Sequence, residues 1–166
     1  YTNKLTGSIP SSIGSLTSLT SLALDANKLT GSIPSSIGSL TSLTYLALYT
    51  NELTGTVPNY VGNFLNLASL ILDDNLFTGS LPDSIINLTD LISLSMHTNQ
   101  LTGYIPESAG NLRNLGVIYM QNNNLQGRIP DSMSELTSLG QLYLGSNKFT
   151  GSLSALENLR NLRGVS

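Results

Sequence analysis

Seven asparagines, Asn3, Asn27, Asn51, Asn75, Asn99, Asn123 and Asn147, recur at a fixed interval of 24 residues. A glycine follows each of them by four residues, from Gly7 to Gly151, and a proline follows the first six by seven, from Pro10 to Pro130. A strict period of this length is the mark of a solenoid, in which each unit buries its apolar face only by stacking on its neighbours. Such a chain offers long repetitive surfaces and rarely an enclosed pocket, so binding is expected and an enzyme is the least expected class.

Composition narrows the partners. Of the 166 residues 40% are hydrophobic, enough for a sizeable core, but only 10% are charged, against about a quarter in ordinary soluble domains. Serine, threonine and asparagine do the solvating instead. The net charge of −3 argues against nucleic acid, which calls for a basic stripe. No run of like charges points to an anionic membrane surface. No apolar stretch approaches the roughly 20 residues that span a bilayer, so no direct membrane insertion is expected in this segment. Cysteine is absent, which removes disulfides and thiolate metal sites. No cofactor or metal is expected.

The unit L-x-x-L-x-L-x-x-N-x-L-T-G-x-I-P starts at Leu19 and recurs from Leu43, Leu67, Leu91, Leu115 and Leu139, and residues 3–20 and 27–44 are identical over 18 positions. In L-x-L the period is two, so Leu22 and Leu24 point inward and Ala23 outward, which predicts a short strand in every coil and a parallel sheet when coils stack. Leu29, Gly31 and Ile33 alternate with Thr30 and Ser32 in the same way, predicting a second, shorter sheet that Pro34 ends. The following S-S-I-G-S-L reads as a 3₁₀ or short helical turn with Ile37 and Leu40 buried. The asparagine has a structural reason: where the coil leaves its strand, backbone groups face inward without partners, and a buried amide can satisfy them. Asn27, Asn51, Asn75, Asn99, Asn123 and Asn147 are thus expected to form a ladder in which each amide serves its own coil and the next.

These residues resemble the plant-type subclass of leucine-rich repeat proteins, over essentially the whole chain. The resemblance implies an α/β leucine-rich-repeat solenoid with a parallel concave β-sheet, a short second sheet and 3₁₀ or short helical turns on the convex side. Members include the extracellular parts of receptor-like kinases, receptor-like proteins and inhibitors of microbial polygalacturonases. It therefore implies a non-enzymatic module that binds a protein or peptide on its concave face, secreted or on the extracellular side of a membrane. Two features depart from the family. There are no cysteine-paired caps, and the chain opens at Tyr1-Thr2-Asn3, which matches the strand end Tyr49-Thr50-Asn51. The expected organisation is one solenoid segment, 1–166, with a partial coil 1–18, coils 19–42, 43–66, 67–90, 91–114 and 115–138, a degenerate coil 139–161 and the start of another at 162–166. It reads as an internal piece of a longer solenoid, lacking both caps and open to lateral or end-to-end association with further coils. In the last full coil Ser154 stands where proline should be, which questions whether the second sheet continues there.

The outward strand positions form four columns on the concave face: Ser21, Tyr45, Ser69, Ser93, Val117, Gln141; Ala23, Ala47, Ile71, Ser95, Tyr119, Tyr143; Asp25, Tyr49, Asp73, His97, Gln121, Gly145; and Ala26, Thr50, Asp74, Thr98, Asn122, Ser146. Tyrosine suits interfaces because it brings large area and a polar tip at low entropic cost. The candidate partner-binding residues are Tyr45, Tyr49, Ile71, Asp73, Asp74, His97, Tyr119, Gln121 and Tyr143. The plainer alternative is that β-forming residues simply occupy an exposed sheet. Asp73 and His97 are expected as cross-strand neighbours roughly 5 Å apart, as a solvated pair rather than an acid–base couple, since no nucleophile motif accompanies them. Asp25, Asp73 and Asp74 lack a loop that would wrap oxygens round calcium. On the second sheet, Thr6, Thr30, Thr54, Thr78, Thr102 and Thr150 with Ser8, Ser32, Thr56, Ser80 and Ser152 are expected to form outward ranks about 4.8 Å apart. They resemble the threonine faces of solenoid antifreeze proteins, although Tyr104, Gln126 and Arg128 interrupt them. An ice-binding face and a structural role in an extracellular or surface assembly are the alternatives to recognition. Asn87-Leu88-Thr89 is the one N-x-[S/T] sequon, a glycosylation candidate on the convex side.

Overall fold

The computed structural model describes residues 3–166; the correspondence of Tyr1 and Thr2 with Tyr49 and Thr50 lies outside the described residues. Each coil runs through a short strand, a corner, a second strand and a 3₁₀ turn before returning. Seven first strands, Ser21–Ala23, Tyr45–Ala47, Ser69–Ile71, Ser93–Ser95, Val117–Tyr119, Gln141–Tyr143 and Gly164–Val165, make one parallel sheet in chain order. From Ser21–Ala23 to Gln141–Tyr143 its register advances by one whole repeat per strand, Ser21 opposite Tyr45 and Tyr45 opposite Ser69. The leucines between the outward residues fill the interior: Leu46, Leu70 and Leu142 are at most 1% exposed.

The interior is one continuous apolar column, with Phe64 and Phe77 among its largest fully buried side chains. The convex side is a stack of 3₁₀ turns, five residues long at Ser11–Ser15, Ser35–Ser39, Asn59–Asn63, Asp83–Asn87 and Asp131–Glu135. Proline precedes each of these, in extended backbone that terminates the second strand. Ile37 and Leu40 are buried as the pattern requires. Among the described residues no helix is long and apolar enough to cross a membrane.

The asparagine ladder is present, with one change of direction. Asn75 Nδ2 donates to Leu72 O and Asp73 O of its own coil and to Leu48 O of the coil before, while its Oδ1 accepts from Leu53 N–H of that same earlier coil. Asn51, Asn99, Asn123 and Asn147 repeat this set, and the Oδ1 of Asn27 accepts from Leu5 N–H. Each amide thus serves its own coil and the preceding one, not the next, because the side chain points back under the strand it follows.

The second sheet differs from its expected form. It is divided into Thr6–Ser8 with Lys28–Gly31 and Glu52–Leu53, Thr78–Ser80 with Gln100–Thr102, and Gln126–Gly127 with Lys148–Phe149. It continues into the coil that lacks proline, as the Lys148–Phe149 strand. Its register is also sheared by two residues per coil: Thr30 lies opposite Ser8, and Thr102 opposite Ser80. Thr6 and Thr30 are therefore not cross-strand partners, and the flat threonine ranks about 4.8 Å apart do not form. The hydroxyls do face solvent, but in oblique rows.

Candidate functional site

The concave face is built from the residues that alternate with buried leucines. The structure brings the first two columns into strict register, Tyr45 beside Ser21 and Ser69, Ile71 beside Ala47 and Ser95, and Tyr119 beside Ser95 and Tyr143. Tyr45, Tyr49, Ile71, Tyr119, Gln121 and Tyr143 are all partly exposed, and Asp74 is fully at the surface. Ala47 and Ser95, on the same face, are buried; small side chains there form a floor beneath the larger ones.

Two subsites emerge. Towards the later coils, the rings of Tyr119 and Tyr143 stack at 5.1 Å between centroids and 8° between planes. The Tyr119 hydroxyl donates to Gln141 Oε1. Gln121 Oε1 beside them is buried without a hydrogen-bond donor. Stacking fixes both rings in a single orientation and leaves a flat aromatic plate on the sheet.

Towards the earlier coils lie Asp25, Tyr45, Tyr49, Asp73, Asp74 and His97. Asp73 is only 8% exposed, so the solvated pair expected with His97 is replaced by a buried carboxylate. Its Oδ1 accepts from the Ser95 hydroxyl at 2.6 Å and from the His97 backbone N–H at 2.9 Å. Its Oδ2 lies 3.5 Å from His97 Nε2. His97 Nδ1 is held 3.0 Å from Thr98 Oγ1. Burial pushes the Asp73 carboxyl above its ordinary value, although the Ser95 hydroxyl, the His97 ring and the His97 N–H each pull it down. The Asp25 carboxylate, with smaller help from burial, Tyr45 and Asp73, pushes the Tyr49 phenol up. The alternation pattern could not show that Asp73 would be buried, because the covering comes from neighbouring coils.

The fourth column is a different object from the other three. Ala26, Thr50, Asp74, Thr98, Asn122 and Ser146 all take left-handed backbone, with φ between 50° and 59°. They form the corner that turns each chain segment from the strand into its asparagine. Left-handed backbone is costly for residues other than glycine, and most so for β-branched ones such as Thr50 and Thr98. No glycine marks the position, so nothing in the sequence announced it.

Elsewhere, Asn87 and Thr89 of the sequon are exposed at the end of the Asp83–Asn87 turn on the convex side. A notch of about 460 Å³ opens beside the second sheet between Leu81, Tyr104, Pro106, Glu107 and Arg128. Among the described residues, no group of three or more histidines and carboxylates is placed to hold a metal ion.

Comparison with known proteins places this geometry. The Leucine Rich Repeat family model matches residues 18–40, 66–88 and 114–136. No curated protein sequence matches the chain. Among solved structures, the ectodomain of the receptor kinase GASSHO1/SCHENGEN3 from Arabidopsis thaliana, in complex with CASPARIAN STRIP INTEGRITY FACTOR 2, superposes with a TM-score of 0.97 at 37% identity, over 99% of this chain and 20% of that one. The Arabidopsis receptor kinase HAESA, in complex with the peptide hormone IDA and a co-receptor, gives 0.93 at 35%, over 96% of this chain and 27% of that one. A plant ice-binding protein gives 0.88 at 31%, over 97% and 52%. The chain thus spans between a fifth and about half of these relatives.

Proposed function

We propose that this chain, which belongs to the leucine-rich repeat family in its plant-type form, is a non-enzymatic recognition module that binds a peptide or extended protein segment along its concave sheet, on the extracellular side of a cell. The observation that carries the reading is the sheet itself: seven parallel strands whose accessible face holds Tyr45, Tyr49, Tyr119 and Tyr143 over a floor of small residues. Large rings on a scaffold fixed by an asparagine ladder lose little freedom when a partner docks. The receptor kinase HAESA, of the same fold, holds a peptide hormone in its solved complex, which supports the reading for this chain.

The test is selection of random dodecapeptides against the immobilised chain, followed by hydrogen exchange of the complex. Selected peptides should slow exchange at Tyr45–Ala47, Ser69–Ile71 and Ser93–Ser95. Replacing Tyr45 and Tyr49 together by alanine should weaken them by about tenfold or more while leaving the melting curve in place. Protection confined to the convex turns, or binding indifferent to both tyrosines, refutes the reading.

A further inference from the structure

We propose that the early half of the concave sheet selects its partner by charge, taking a peptide segment that carries lysine or arginine and seating a cation over Tyr45 and Tyr49, between Asp25 and the Asp73–Asp74 pair. The proposal rests on the concave face being the binding face and names the chemistry that face accepts.

The placement of charge is the first argument. The chain has 7 lysines and arginines against 10 carboxylates, so an early half of the face without lysine or arginine is not given by composition. Yet among the described residues the four columns hold Asp25, Asp73 and Asp74 and not one lysine or arginine. Lys4, Lys28 and Lys148 follow the ladder asparagines, where the chain already turns to the second sheet. Arg128 stands on the second-sheet side, paired with Glu107 at 3.5 Å and Asp131 at 3.8 Å. Arg113 makes its pair with Glu135 on the convex side.

The second argument is Asp73. Its side chain is 11% exposed, and both donors that reach it, the Ser95 hydroxyl and the His97 N–H, go to Oδ1. Oδ2 receives no hydrogen bond from the described residues and has only His97 Nε2 nearby, at 3.5 Å. Oδ2 is not sealed from solvent, so an arriving ammonium or guanidinium can reach it and pair with a mostly buried carboxylate.

The third argument is the aromatic pair. Tyr45 stands in the strand Tyr45–Ala47 and Tyr49 two residues beyond it, both partly exposed, and a cation is drawn to aromatic rings of this kind. The Asp25 carboxylate first, and Asp73 more weakly, push the Tyr49 phenol up, so the negative potential of both carboxylates reaches the surface where a ligand would lie. Complementary charge on this scale sets partner choice and association rate more than total affinity.

The experiment uses three pools of synthetic nonapeptides with matched apolar content. Three fixed positions carry Lys or Arg in the first pool, Asp or Glu in the second, and Ser or Gln in the third. Binding to the whole chain is read by biolayer interferometry at pH 7 and physiological salt. The basic pool should bind best. Asp25→Asn with Asp74→Asn, both solvent-accessible, should weaken it about tenfold. Glu107→Gln with Asp131→Asn makes the same change of net charge off the sheet and should leave it within about twofold. Equal losses in the two double variants would reduce the effect to net charge and overturn the proposal. If the neutral or acidic pool binds better, and that binding depends on Tyr45 and Tyr49, the face stands and the charge preference falls. If no pool binds, or none responds to loss of the two tyrosines, the proposal falls together with the reading beneath it.

Discussion

Asn75 joins two coils with one side chain: it satisfies three carbonyls and one N–H that otherwise face the interior. Alanine there leaves Leu53 N–H buried without a partner, while Leu48 O keeps Asn51 Nδ2 and Leu72 O keeps Asn99 Nδ2; an orphaned group of this kind costs about 1–3 kcal/mol. Asn75→Ala should therefore lower unfolding free energy by about 1–3 kcal/mol in urea melts, and an unchanged midpoint would exclude the ladder as a stabilising device. Asp73 behaves in the opposite sense. Burial raises its pKa above 3.8 in the fold, so the native state binds a proton more tightly than the unfolded chain does. That contribution to stability is complete below pH 3.8 and is lost as pH rises through the raised value. Asp73→Asn carries no such loss. The stability of the variant relative to the parent should rise from pH 3.5 to 5.5, a window below the ordinary histidine range near 6.5. A fall over that window would mean that His97, and not burial, governs the carboxyl.

At the scale of the element, the length of each 3₁₀ turn follows from the residue it stacks upon. The five-residue turns at Ser35–Ser39, Asn59–Asn63, Asp83–Asn87 and Asp131–Glu135 lie over Gly14, Gly38, Gly62 and Gly110. A Cβ on Gly14 or Gly110 would come within 2.3 Å or 2.2 Å of the Ser36 or Ser132 carbonyl oxygen. Ile86 and Ser134 hold the same place in their coils, and the turns that follow are the three-residue ones, Ala109–Asn111 and Ser154–Leu156. The latter coil also lacks proline and one residue. The notch beside Tyr104 and Pro106 opens next to the first of these shortened turns. Gly110→Ala should push Ser132 away and cost about 1–3 kcal/mol, visible as a lower midpoint, while Ser134→Ala should cost far less. The strands, the turns and the ladder were legible in the sequence because a 24-residue period repeats each signal many times. The two-residue shear of the second sheet was not, since repeat spacing does not report how coils slide. Nor was the left-handed corner at Thr50 and Thr98, where no glycine stands. The tyrosine and aspartate columns were legible as positions, but the burial of Asp73 and the stacking of Tyr119 on Tyr143 depend on neighbouring coils.

For the whole molecule, a solenoid whose units contact only their neighbours should tolerate loss of one complete coil, because the new interface repeats the chemistry of the old. Removing residues 67–90 joins Asn66 to Leu91. Asn99 then reaches the coil of Leu53 in place of Asn75, and the turn at Ala109–Asn111 stacks on Gly62 in place of Ile86. Removing 115–138 instead joins Asn114 to Leu139 and leaves Tyr45, Tyr49 and Asp73 untouched. Each deletion takes 24 of 166 residues, so both variants should unfold in one transition, with a denaturant slope smaller by about a seventh. They should part in binding. The first removes Ile71, Asp73 and Asp74 and should lose the lysine- and arginine-bearing peptides, whereas the second should keep them. If both deletions abolish binding while melting cooperatively, recognition needs the full length of the sheet, with the Tyr119–Tyr143 plate as a second anchor. If neither does, the partner does not use the early coils, and the charge on that face serves another end.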